Sequence, residues 1–580
     1  TPGFIANRIG TFWLQAAVRA AIDMGISVEQ ADAVLSRPFG IPKTGVFGLL
    51  DLVGLDLMPK VAQGLLASLP EGDGYRSIYR DEPLVEKMIA AGQIGRKGSG
   101  GFYRLAPNDK ARTKQAIDLA SGDYATAKRP KIDGKAKALF AEDSPEGAYA
   151  RKVMGATLTY AAGLIPEIAD DPAAIDAAMR HGYNWKQGPL ALIDEIGAEA
   201  VIEAAEADGW TIPPLLAAAR EKSIYDYADG VPRILYPGGA HYPVPRPDGV
   251  LLLADIKRES QPLLKNASAS LWDIGDGVSC FEFTAKANTL DQDMLNLLAE
   301  SIDLTARQFK AMVIYNEGTN FSVGANLGMA LFALNIAAYD EVEKLVKAGQ
   351  DTYKALKYAP FPVVGAPSGM ALGGGCEILL HCDAIQAHAE SYIGLVEVGV
   401  GIVPGWGGCK EMLFRAAANE KTPKGPIPAV STVFETVGTA QVAKSALEAR
   451  EKLFLRNTDS ITMNRDRLLA DAKLRALYLA QNYHPPEAPD EISLPGPSGH
   501  TALSMAVEQL AATGKATPYD RVVADHLARV LTGGSADPTD PIREDDLLEL
   551  ERSEFMALVR KVGTLNRIEH MLETGKPLRN

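Results

Sequence analysis

The chain has 580 residues, of which 47% are hydrophobic and 23% are charged, and its formal net charge is −14. This length is sufficient for several domains with substantial cores. The negative charge disfavours nucleic acids and anionic membranes as main partners, because both attract clustered Lys and Arg. No apolar run approaches the roughly 18 residues of a membrane span, and no basic-then-apolar start resembles a signal peptide.

The cysteines and histidines argue against a disulfide scaffold or a metal site. Only four cysteines are present, and none forms a C-x-x-C pair, so buried free thiols are expected. The histidines, including His381 and His388, lack metal-ligand spacing and are expected to have packing roles. We therefore expect a cytoplasmic enzyme without a metal.

Helical patterns dominate the first 230 residues. Residues 1–9 (TPGFIANRI) predict the start of a helix. Residues 43–54 (KTGVFGLLDLVG) recur at a shift of 143 as residues 186–197 (KQGPLALIDEIG), and acidic helical runs around Asp32 and Asp176 precede the two copies. Such an internal repeat predicts two copies of one helical unit.

Two features of this helical region allow competing interpretations. Asp51 and Asp194 occupy matching positions in the repeat and are predicted to be structural caps rather than catalysts. Arg96 and Lys97 lie in a basic glycine-rich turn (IGRKGSGGFY) that is able to hold phosphate. A structural turn of the helical domain is the favoured interpretation.

Composition predicts the domain boundaries. A polar stretch separates the two helical copies, and a Pro/Gly-rich segment precedes the later strands. The predicted segments are a first helical copy at 1–106, a linker or insert at 107–148, a second copy at 149–230, a linker at 231–250, an α/β domain at 251–482 and a helical C-terminal extension at 483–580.

A glycine-rich turn predicts a site for a negatively charged oxygen. Three glycines at 373–375 lead into an apolar stretch that is predicted to be a helix. The N–H groups at a helix N-terminus are unpaired and stabilise charge that develops on an oxygen. Upstream, Asn326 is suited to cap another helix. The amides of Ala325 and Gly374 are predicted to face the same oxygen.

Two acidic residues follow this turn. Glu377 lies in the first turn of the predicted helix, and Glu397 lies in an apolar stretch (IGLVEVGV), where a solvated surface role is disfavoured. Two carboxyl groups can divide the proton transfers of a reaction at a double bond. They are expected to titrate as one coupled unit.

Three segments resemble the enoyl-CoA hydratase (crotonase) superfamily: FSVGAN at 321–326, GGGCE at 373–377, and E-x-x-x-G-x-x-P-G from Glu397. The resemblance implies that Glu377 and Glu397 are the catalytic glutamates. It also implies that the amides of Ala325 and Gly374 form the oxyanion hole for a thioester carbonyl.

The same resemblance assigns a ligand-binding turn. Lys286 and Ala287 match the position where members of the superfamily meet the CoA moiety with backbone groups. Asn326 departs from the aspartate that is usual in the superfamily, but its amide can cap the helix equally well. The small apolar run at 327–337 is expected to contribute to the wall of the acyl pocket.

The start of the chain resembles a second family. Residues 1–9 and 39–54 are similar to the helical C-terminal domain of 3-hydroxyacyl-CoA dehydrogenases, beginning at its junction with the dinucleotide-binding domain. The chain has no G-x-G-x-x-G fingerprint, so the NAD-binding domain is expected to be absent. Asn7 matches a substrate-contacting position, with a helix-surface amide as the alternative.

Together, the resemblances imply a bifunctional 3-hydroxyacyl-CoA dehydrogenase/enoyl-CoA hydratase of fatty-acid β-oxidation, in dehydrogenase-first order and lacking its NAD-binding domain. The implied fold is α/β, with two copies of an all-helical dehydrogenase C-terminal-type domain, a crotonase-type β/α spiral and a helical C-terminal extension. The implied reaction is hydration of trans-2-enoyl-CoA to 3-hydroxyacyl-CoA. An enoyl-CoA isomerase and a non-catalytic acyl-CoA-binding or assembly module are the alternatives.

The expected ligands follow from this reaction. The hydratase needs no cofactor beyond its acyl-CoA or enoyl-CoA substrate, and NAD would serve only the absent dehydrogenase domain. No nucleic acid and no membrane span are expected. The resemblance implies a homo-oligomer, with a thiolase as a candidate partner.

Overall fold

The computed structural model describes residues 2–107, 109, 111–488 and 491–580. Within them the chain forms two structural units, at residues 1–246 and 247–580. The first is mainly helical and the second is built on parallel β-sheet, so the protein is α/β, as predicted. None of the helices formed by the described residues combines the length and apolar composition that a membrane crossing requires.

The first unit packs around its two longest helices, Phe4–Met24 and Pro145–Gly163. Phe12 from one helix stacks on Tyr160 from the other, with ring centroids 4.1 Å apart. The other helices are Val28–Val34, Phe47–Val53, Met58–Ser68, Gly74–Ile78, Pro83–Ala90, Ala136–Ala141, Pro172–Tyr183, Pro189–Ile196, Ala198–Ala207 and Pro214–Ala218. Two three-stranded antiparallel sheets comprise Tyr103–Leu105, Lys114–Ile117 and Tyr124–Thr126, and Tyr225–Asp226, Arg233–Leu235 and His241–Pro243.

Buried aspartates occupy matching positions in this unit. Asp32 accepts hydrogen bonds from two first-turn amides of helix Phe47–Val53, at 2.7 and 3.1 Å. Asp176 accepts the same pair from helix Pro189–Ile196, at 2.7 and 3.0 Å. Burial raises the pKa of Asp32 to about 7 and that of Asp176 to about 6. Each carboxyl group therefore caps the helix that lies within its copy of the sequence repeat.

Asp51 and Asp194 have structural roles, and the amides that they bind lie at the start of the small sheets rather than in a helix. Each carboxylate accepts two backbone hydrogen bonds, at 2.6 to 2.8 Å, from a segment at the start of one of the small sheets. The donors are the amides of Phe102 and Tyr103 for Asp51 and those of Ile224 and Tyr225 for Asp194.

The turn at Arg96 and Lys97 packs on the same helix as Asp51. The Arg96 amide donates to the carbonyl oxygen of Asp51 at 2.8 Å, and Lys97 Nζ donates to that of Val53 at 3.2 Å. Both bonds fix the turn to helix Phe47–Val53, which agrees with the structural interpretation.

The stretches predicted as linkers are structured. Residues 107–148 contain two strands of the first small sheet and helix Ala136–Ala141, and residues 231–250 contain two strands of the second sheet. Their prolines and glycines mark turns between paired segments, and the boundary between the two structural units follows Arg246, inside the second stretch.

The second unit contains a seven-stranded sheet and a separate two-stranded parallel sheet. The smaller sheet is formed by strands Gly369–Leu372 and Ser391–Gly394. The first three strands of the larger sheet in sequence pair antiparallel with one another, and from the third strand onward the pairing is parallel. Across the larger sheet the order is Ser460–Thr462, Ala384–His388, Val363–Gly365, Ala311–Ile314, Val278–Phe283, Ala269–Asp273 and Leu264–Lys265.

Strand Val278–Phe283 is buried along its whole length, although its sequence contains the polar residues Ser279 and Glu282. Lys257 Nζ donates to Glu282 at 2.8 Å, and the hydroxyls of Ser279 and Thr305 pair at 2.9 Å. The strand pairs antiparallel with Ala269–Asp273 on one side and in parallel with Ala311–Ile314 on the other, and both of its faces are covered. Its polar side chains are therefore paired in the interior rather than solvated.

Thirteen helices of the second unit surround these sheets: Leu253–Glu259, Gln292–Gln308, Leu327–Asn335, Tyr339–Lys357, Gly374–Leu380, Gly408–Ala418, Pro426–Gly438, Ala446–Glu451, Leu468–Ala480, Gly496–Ala512, Pro518–Thr532, Glu544–Val559 and Val562–Thr574, counted over the described residues. Residues 560 and 561 separate the last two helices.

Asp32→Ala is expected to lower the free energy of unfolding of the first unit by about 3 kcal/mol, because two amides and the Tyr103 hydroxyl lose a buried acceptor. Urea unfolding followed by circular dichroism measures the change. The exposed Asp133 provides the control, and Asp133→Ala is expected to stay within about 0.5 kcal/mol of the unchanged protein. An unchanged urea midpoint in Asp32→Ala would contradict this account.

Candidate active site

Two glycines bring the predicted oxyanion-hole segments together. Gly324 has φ of +93° and Gly373 has φ of +54°. A Cβ atom on Gly373 would lie 3.8 Å from the Cα of Gly324, and one on Gly324 would lie 3.0 Å from the carbonyl oxygen of Leu372. Glycine suits both the positive φ and the close backbone approach.

The amides of Ala325 and Gly374 flank this contact. A Cβ atom on Gly324 would lie 3.6 Å from Gly374 N. Gly374 is the first residue of helix Gly374–Leu380, so its N–H has no acceptor within the helix. Among the described residues, neither amide donates a backbone hydrogen bond outside a helix or strand. Two unpaired N–H groups are therefore close together at the positive end of a helix.

The segment after Ala325 is fixed by its neighbours. Asn326 caps helix Leu327–Asn335 through a hydrogen bond from the Met329 amide at 3.2 Å, as the sequence predicts. The Asn326 amide donates to Leu290 O at 3.0 Å, which ties the segment to a neighbouring stretch of backbone. The position of the Ala325 amide is thus set by bonds on the residue that follows it.

Glu377 is held by the loop at residues 404–410. Its Oε1 accepts hydrogen bonds from the amides of Trp406 at 2.8 Å and Gly408 at 2.9 Å. Both amides bind the same oxygen, so Oε2 takes part in neither bond. Burial raises the pKa of Glu377, while the two amides oppose that rise by favouring the ionised form.

Glu397 is buried without hydrogen-bond partners. It begins the 3₁₀ turn Glu397–Val400 and is 8% exposed, and neither carboxyl oxygen has a partner among the described residues. A Cβ atom on Gly373 would lie 3.3 Å from its Oε1. Burial, followed by repulsion from Glu377, raises the pKa of Glu397 well above its usual range. The neutral acid is therefore favoured.

The two carboxyl groups behave as a coupled pair. Glu377 has two amide donors that favour its ionised form, whereas Glu397 has none. As the pH rises, Glu377 therefore ionises first and Glu397 retains its proton. The pair then offers one proton acceptor and one proton donor in the same buried space.

A buried chain of polar contacts lies behind Glu377. His381 Nδ1 donates to the backbone oxygen of Glu377 at 2.7 Å, and Lys410 Nζ donates to His381 Nε2 at 3.1 Å. Burial, followed by the charge of Lys410, lowers the pKa of His381 to about 3, so the ring is neutral. Lys410 Nζ also pairs with Glu411 and Glu544, each at 2.6 Å. His381 thus has the packing role that the sequence predicts.

The last helix anchors the turn that carries Glu397, which the sequence analysis missed. Arg567 Nη1 donates to the carbonyl oxygen of Val398 at 3.1 Å, and the Thr564 hydroxyl donates to that of Gly401 at 2.6 Å. Both side chains are almost fully buried. Nothing local in the sequence distinguishes them from other polar residues of an amphipathic helix.

A third buried carboxyl group, that of Glu551, was also missed. It lies in helix Glu544–Val559 and is 0% exposed. Its oxygens accept hydrogen bonds from the amides of Gly407 at 2.8 Å and Lys410 at 2.7 Å. The surrounding sequence, LLELERSE, is rich in acidic residues, so the pattern alone does not single out this one.

The predicted CoA-binding turn lies near the glycine contact. Lys286 and Ala287 are exposed in the 3₁₀ turn Lys286–Asn288, and Ala287 has φ of +56°. A left-handed alanine is disfavoured, which is common where backbone is shaped for a ligand. Four residues after Lys286, the Leu290 amide donates to the carbonyl oxygen of Gly324 at 3.0 Å.

The remaining predicted residues have simple surroundings. Asn7 lies in the first unit, exposed on helix Phe4–Met24. The four cysteines are buried free thiols, as expected. No group of His, Cys, Asp or Glu within the described part of the chain is arranged to hold a metal ion.

Two family descriptions match the chain. "3-hydroxyacyl-CoA dehydrogenase, C-terminal domain" matches residues 3–105, and "Enoyl-CoA hydratase/isomerase" matches residues 274–424. A "Probable 3-hydroxyacyl-CoA dehydrogenase" of Bacillus subtilis is 36% identical over 100% of this chain and 74% of its own length. A "Putative fatty acid oxidation complex trifunctional enzyme" of Rickettsia felis is 32% identical over 99% of this chain and 74% of its own length.

The chain therefore belongs to the family of these bacterial proteins. It contains a helical C-terminal domain of the 3-hydroxyacyl-CoA dehydrogenase type, followed by an enoyl-CoA hydratase/isomerase domain that holds Glu377, Glu397 and both unpaired amides.

Glu377→Gln is expected to stabilise the protein by about 1–2 kcal/mol at pH 8. The pKa of Glu377 is raised in the folded state. The contribution of this group to stability is therefore complete below the pKa that it has in the unfolded chain. It is lost as the pH rises through the folded-state pKa. Glutamine still offers one oxygen to the Trp406 and Gly408 amides but carries no charge. Scanning calorimetry at pH 5 and pH 8 tests this difference.

The stabilisation by Glu377→Gln should shrink at pH 5, where the wild-type side chain is neutral. Glu390→Gln, at an exposed position, is the control and should change the melting temperature at neither pH. A Glu377→Gln protein that melts below the wild type at pH 8 would contradict the assigned direction of the pKa shift.

Proposed function

We propose that this chain hydrates trans-2-enoyl-CoA to 3-hydroxyacyl-CoA, with Glu377 and Glu397 as its catalytic pair. The observation that carries this proposal is the buried carboxyl pair beside two unpaired backbone amides. Water addition to a conjugated thioester requires a base, an acid and stabilisation of charge on the thioester oxygen. This site contains groups suited to each requirement.

The thioester oxygen would accept hydrogen bonds from the amides of Ala325 and Gly374. Ionised Glu377 holds a water molecule and takes one of its protons as the oxygen bonds to C3 of the substrate. Electron density moves onto the thioester oxygen, where the two amides stabilise it. Each such donor contributes roughly 3 kcal/mol to lowering a barrier of this kind.

Glu397 completes the addition by giving its proton to C2. At that point one water has been added, Glu377 is protonated and Glu397 is ionised. Transfer of one proton from Glu377 to Glu397 restores the resting pair. The coupled titration of the two groups supports this exchange, because each ionises more readily when the other is neutral.

The substrate's two ends would meet different surfaces. The CoA moiety would contact the exposed turn of Lys286 and Ala287. The acyl chain would lie along helix Leu327–Asn335, which follows the Ala325 amide. Apolar side chains stand exposed on and just after this helix: Met329 at 60%, Phe332 at 68% and Ile336 at 60%. Covering them with an acyl chain would be favourable.

Two relatives are named as putative fatty acid oxidation complex enzymes, which supports our proposal that this chain acts in fatty-acid oxidation. Hydration yields the 3-hydroxyacyl-CoA that a dehydrogenase oxidises with NAD. The NAD-dependent step is proposed only for a protein that also carries a dinucleotide-binding domain. The matching bonds of Asp32 and Asp176 support two copies of the helical domain. A homo-oligomer and association with a thiolase stay predictions.

Glu377→Gln is expected to lower kcat for hydration by roughly 1,000-fold, because the base that accepts the water proton is removed. KM should change little, since the amides that bind the thioester remain. Glu397→Gln should lower hydration similarly by removing the proton donor. The loss of absorbance of the conjugated thioester measures both rates, with Glu390→Gln as the exposed control.

The alternatives give different outcomes. An enoyl-CoA isomerase needs mainly Glu397, so Glu377→Gln would leave isomerisation of 3-enoyl-CoA intact. Hydration at the wild-type rate by Glu377→Gln would rule out the hydratase assignment. A wild-type protein that binds the thioester in calorimetry but turns over neither substrate would favour the binding-module alternative.

A further inference from the structure

Backbone amides at residues 404–410, a loop that runs into the first turn of helix Gly408–Ala418, donate hydrogen bonds to two different carboxyl groups. Alternate donors point to Glu377, in the helix after the glycine triplet, and to Glu551, in a helix near the end of the chain. The donors are Trp406 (2.8 Å) and Gly408 (2.9 Å) to Glu377, and Gly407 (2.8 Å) and Lys410 (2.7 Å) to Glu551. Bonds on both sides therefore fix the orientation of the loop.

A second contact ties the same loop to the helix of Glu551. Gln350 Nε2 donates to the carbonyl oxygens of Gly405 at 2.9 Å and Leu548 at 2.8 Å. Arg552 donates to Gln350 Oε1 at 2.9 Å, which holds the amide in that orientation. Gln350, from helix Tyr339–Lys357, therefore links the start of the loop to helix Glu544–Val559, and Glu551 links the end of the loop to the same helix.

We infer that Glu551 is a positioning residue for the hydration reaction. By binding the amides of Gly407 and Lys410, it fixes the loop so that the neighbouring amides converge on one oxygen of Glu377. The role rests on the proposed function, since it requires Glu377 to be the base. Glu551 acts through the loop and need not touch the substrate.

The charges around Glu551 favour this role over that of a simple ion-pair partner. Glu377 and Glu397 face it as like charges, and Lys410 is the cation beside it. The Lys410 ammonium, however, is paired with Glu411 and with Glu544 from the same helix as Glu551. Burial, followed by repulsion from Glu377, raises the pKa of Glu551 to about 8. Among the described residues, the amides of Gly407 and Lys410 are the groups that donate hydrogen bonds to its carboxyl oxygens.

Glu551→Gln tests the inference, because glutamine replaces one acceptor with an NH₂ group that opposes a backbone N–H. We expect kcat for hydration to fall about 100-fold, the typical effect of a small misplacement of a catalytic group, with KM nearly unchanged. The acid limb of the kcat–pH profile should move up by about one unit, because Glu377 loses donors that favour its ionised form.

Hydrogen exchange reports the loop without relying on turnover. In Glu551→Gln, the amides of residues 404–410 should lose their protection, as bonds on both sides of the loop weaken. Glu390→Gln is the control, since Glu390 is exposed and lies outside both residues 404–410 and the helix of Glu551. Activity, pH profile and loop exchange should be unchanged in this control.

Each other outcome overturns the inference. Suppose that the amides of residues 404–410 exchange as in the wild type while the acid limb of the kcat–pH profile moves to lower pH. Glu551 would then act through its charge alone. Normal kcat, profile and exchange would mean a purely structural role. If Glu551→Gln does not fold, Glu551→Asp decides, because it keeps the carboxyl group but is too short to reach both amides. Reduced kcat and faster loop exchange in this variant support the inference, and wild-type values overturn it.

The proposed function is tested separately by the same samples. A wild-type protein without hydratase activity would contradict the proposed reaction and remove the role assigned to Glu551 in it. The exchange data would still show whether Glu551 fixes the loop. The two failures are therefore distinguishable.

Discussion

The second unit depends on keeping two carboxyl groups away from water without ionising both. A buried carboxylate is costly unless donors satisfy it, and two close carboxylates add mutual repulsion. The protein resolves this asymmetrically: Glu377 receives two backbone amides, whereas Glu397 receives none and stays neutral. The asymmetry creates one base and one acid from the same residue type.

This asymmetry determines which surroundings are permitted. Gly373 leaves room for the carboxyl group of Glu397, and its neighbour Gly374 presents an unpaired amide. The nearby cation, Lys410, is neutralised by Glu411 and Glu544 instead of by the pair. A free cation at that position would favour ionisation of both carboxyl groups, and neither would keep its proton.

The local parts of the site could be predicted from the sequence, because each has a short signature. Glycines before an apolar helix indicate unpaired amides, and a glutamate in an apolar stretch indicates a buried acid. The prediction failed where a role depends on distant partners. The polar residues Ser279 and Glu282 of strand Val278–Phe283 do not reveal that both faces of the strand are buried. Similarly, Glu551 resembles its acidic neighbours until its helix is placed against the loop at 404–410.

The first unit shows the same limit on a smaller scale. The repeat was visible in the sequence, and with it the structural character of its aspartates. Which aspartate caps a helix was not visible, since Asp32 reaches a helix 15 residues later in the chain. The proline- and glycine-rich stretches were taken for linkers because isolated short strands carry little periodic signal.

The contacts between the turn of Glu397 and the final helix also bear on biosynthesis. Val398 and Arg567 are separated by 169 positions, yet they share a hydrogen bond. When the strands of a nascent chain have left the ribosome, the chain would still lack the final helix, which holds the turn of Glu397 in place. The enoyl-CoA hydratase/isomerase domain would thus complete the surroundings of Glu397 only after residue 567 has emerged from the ribosome.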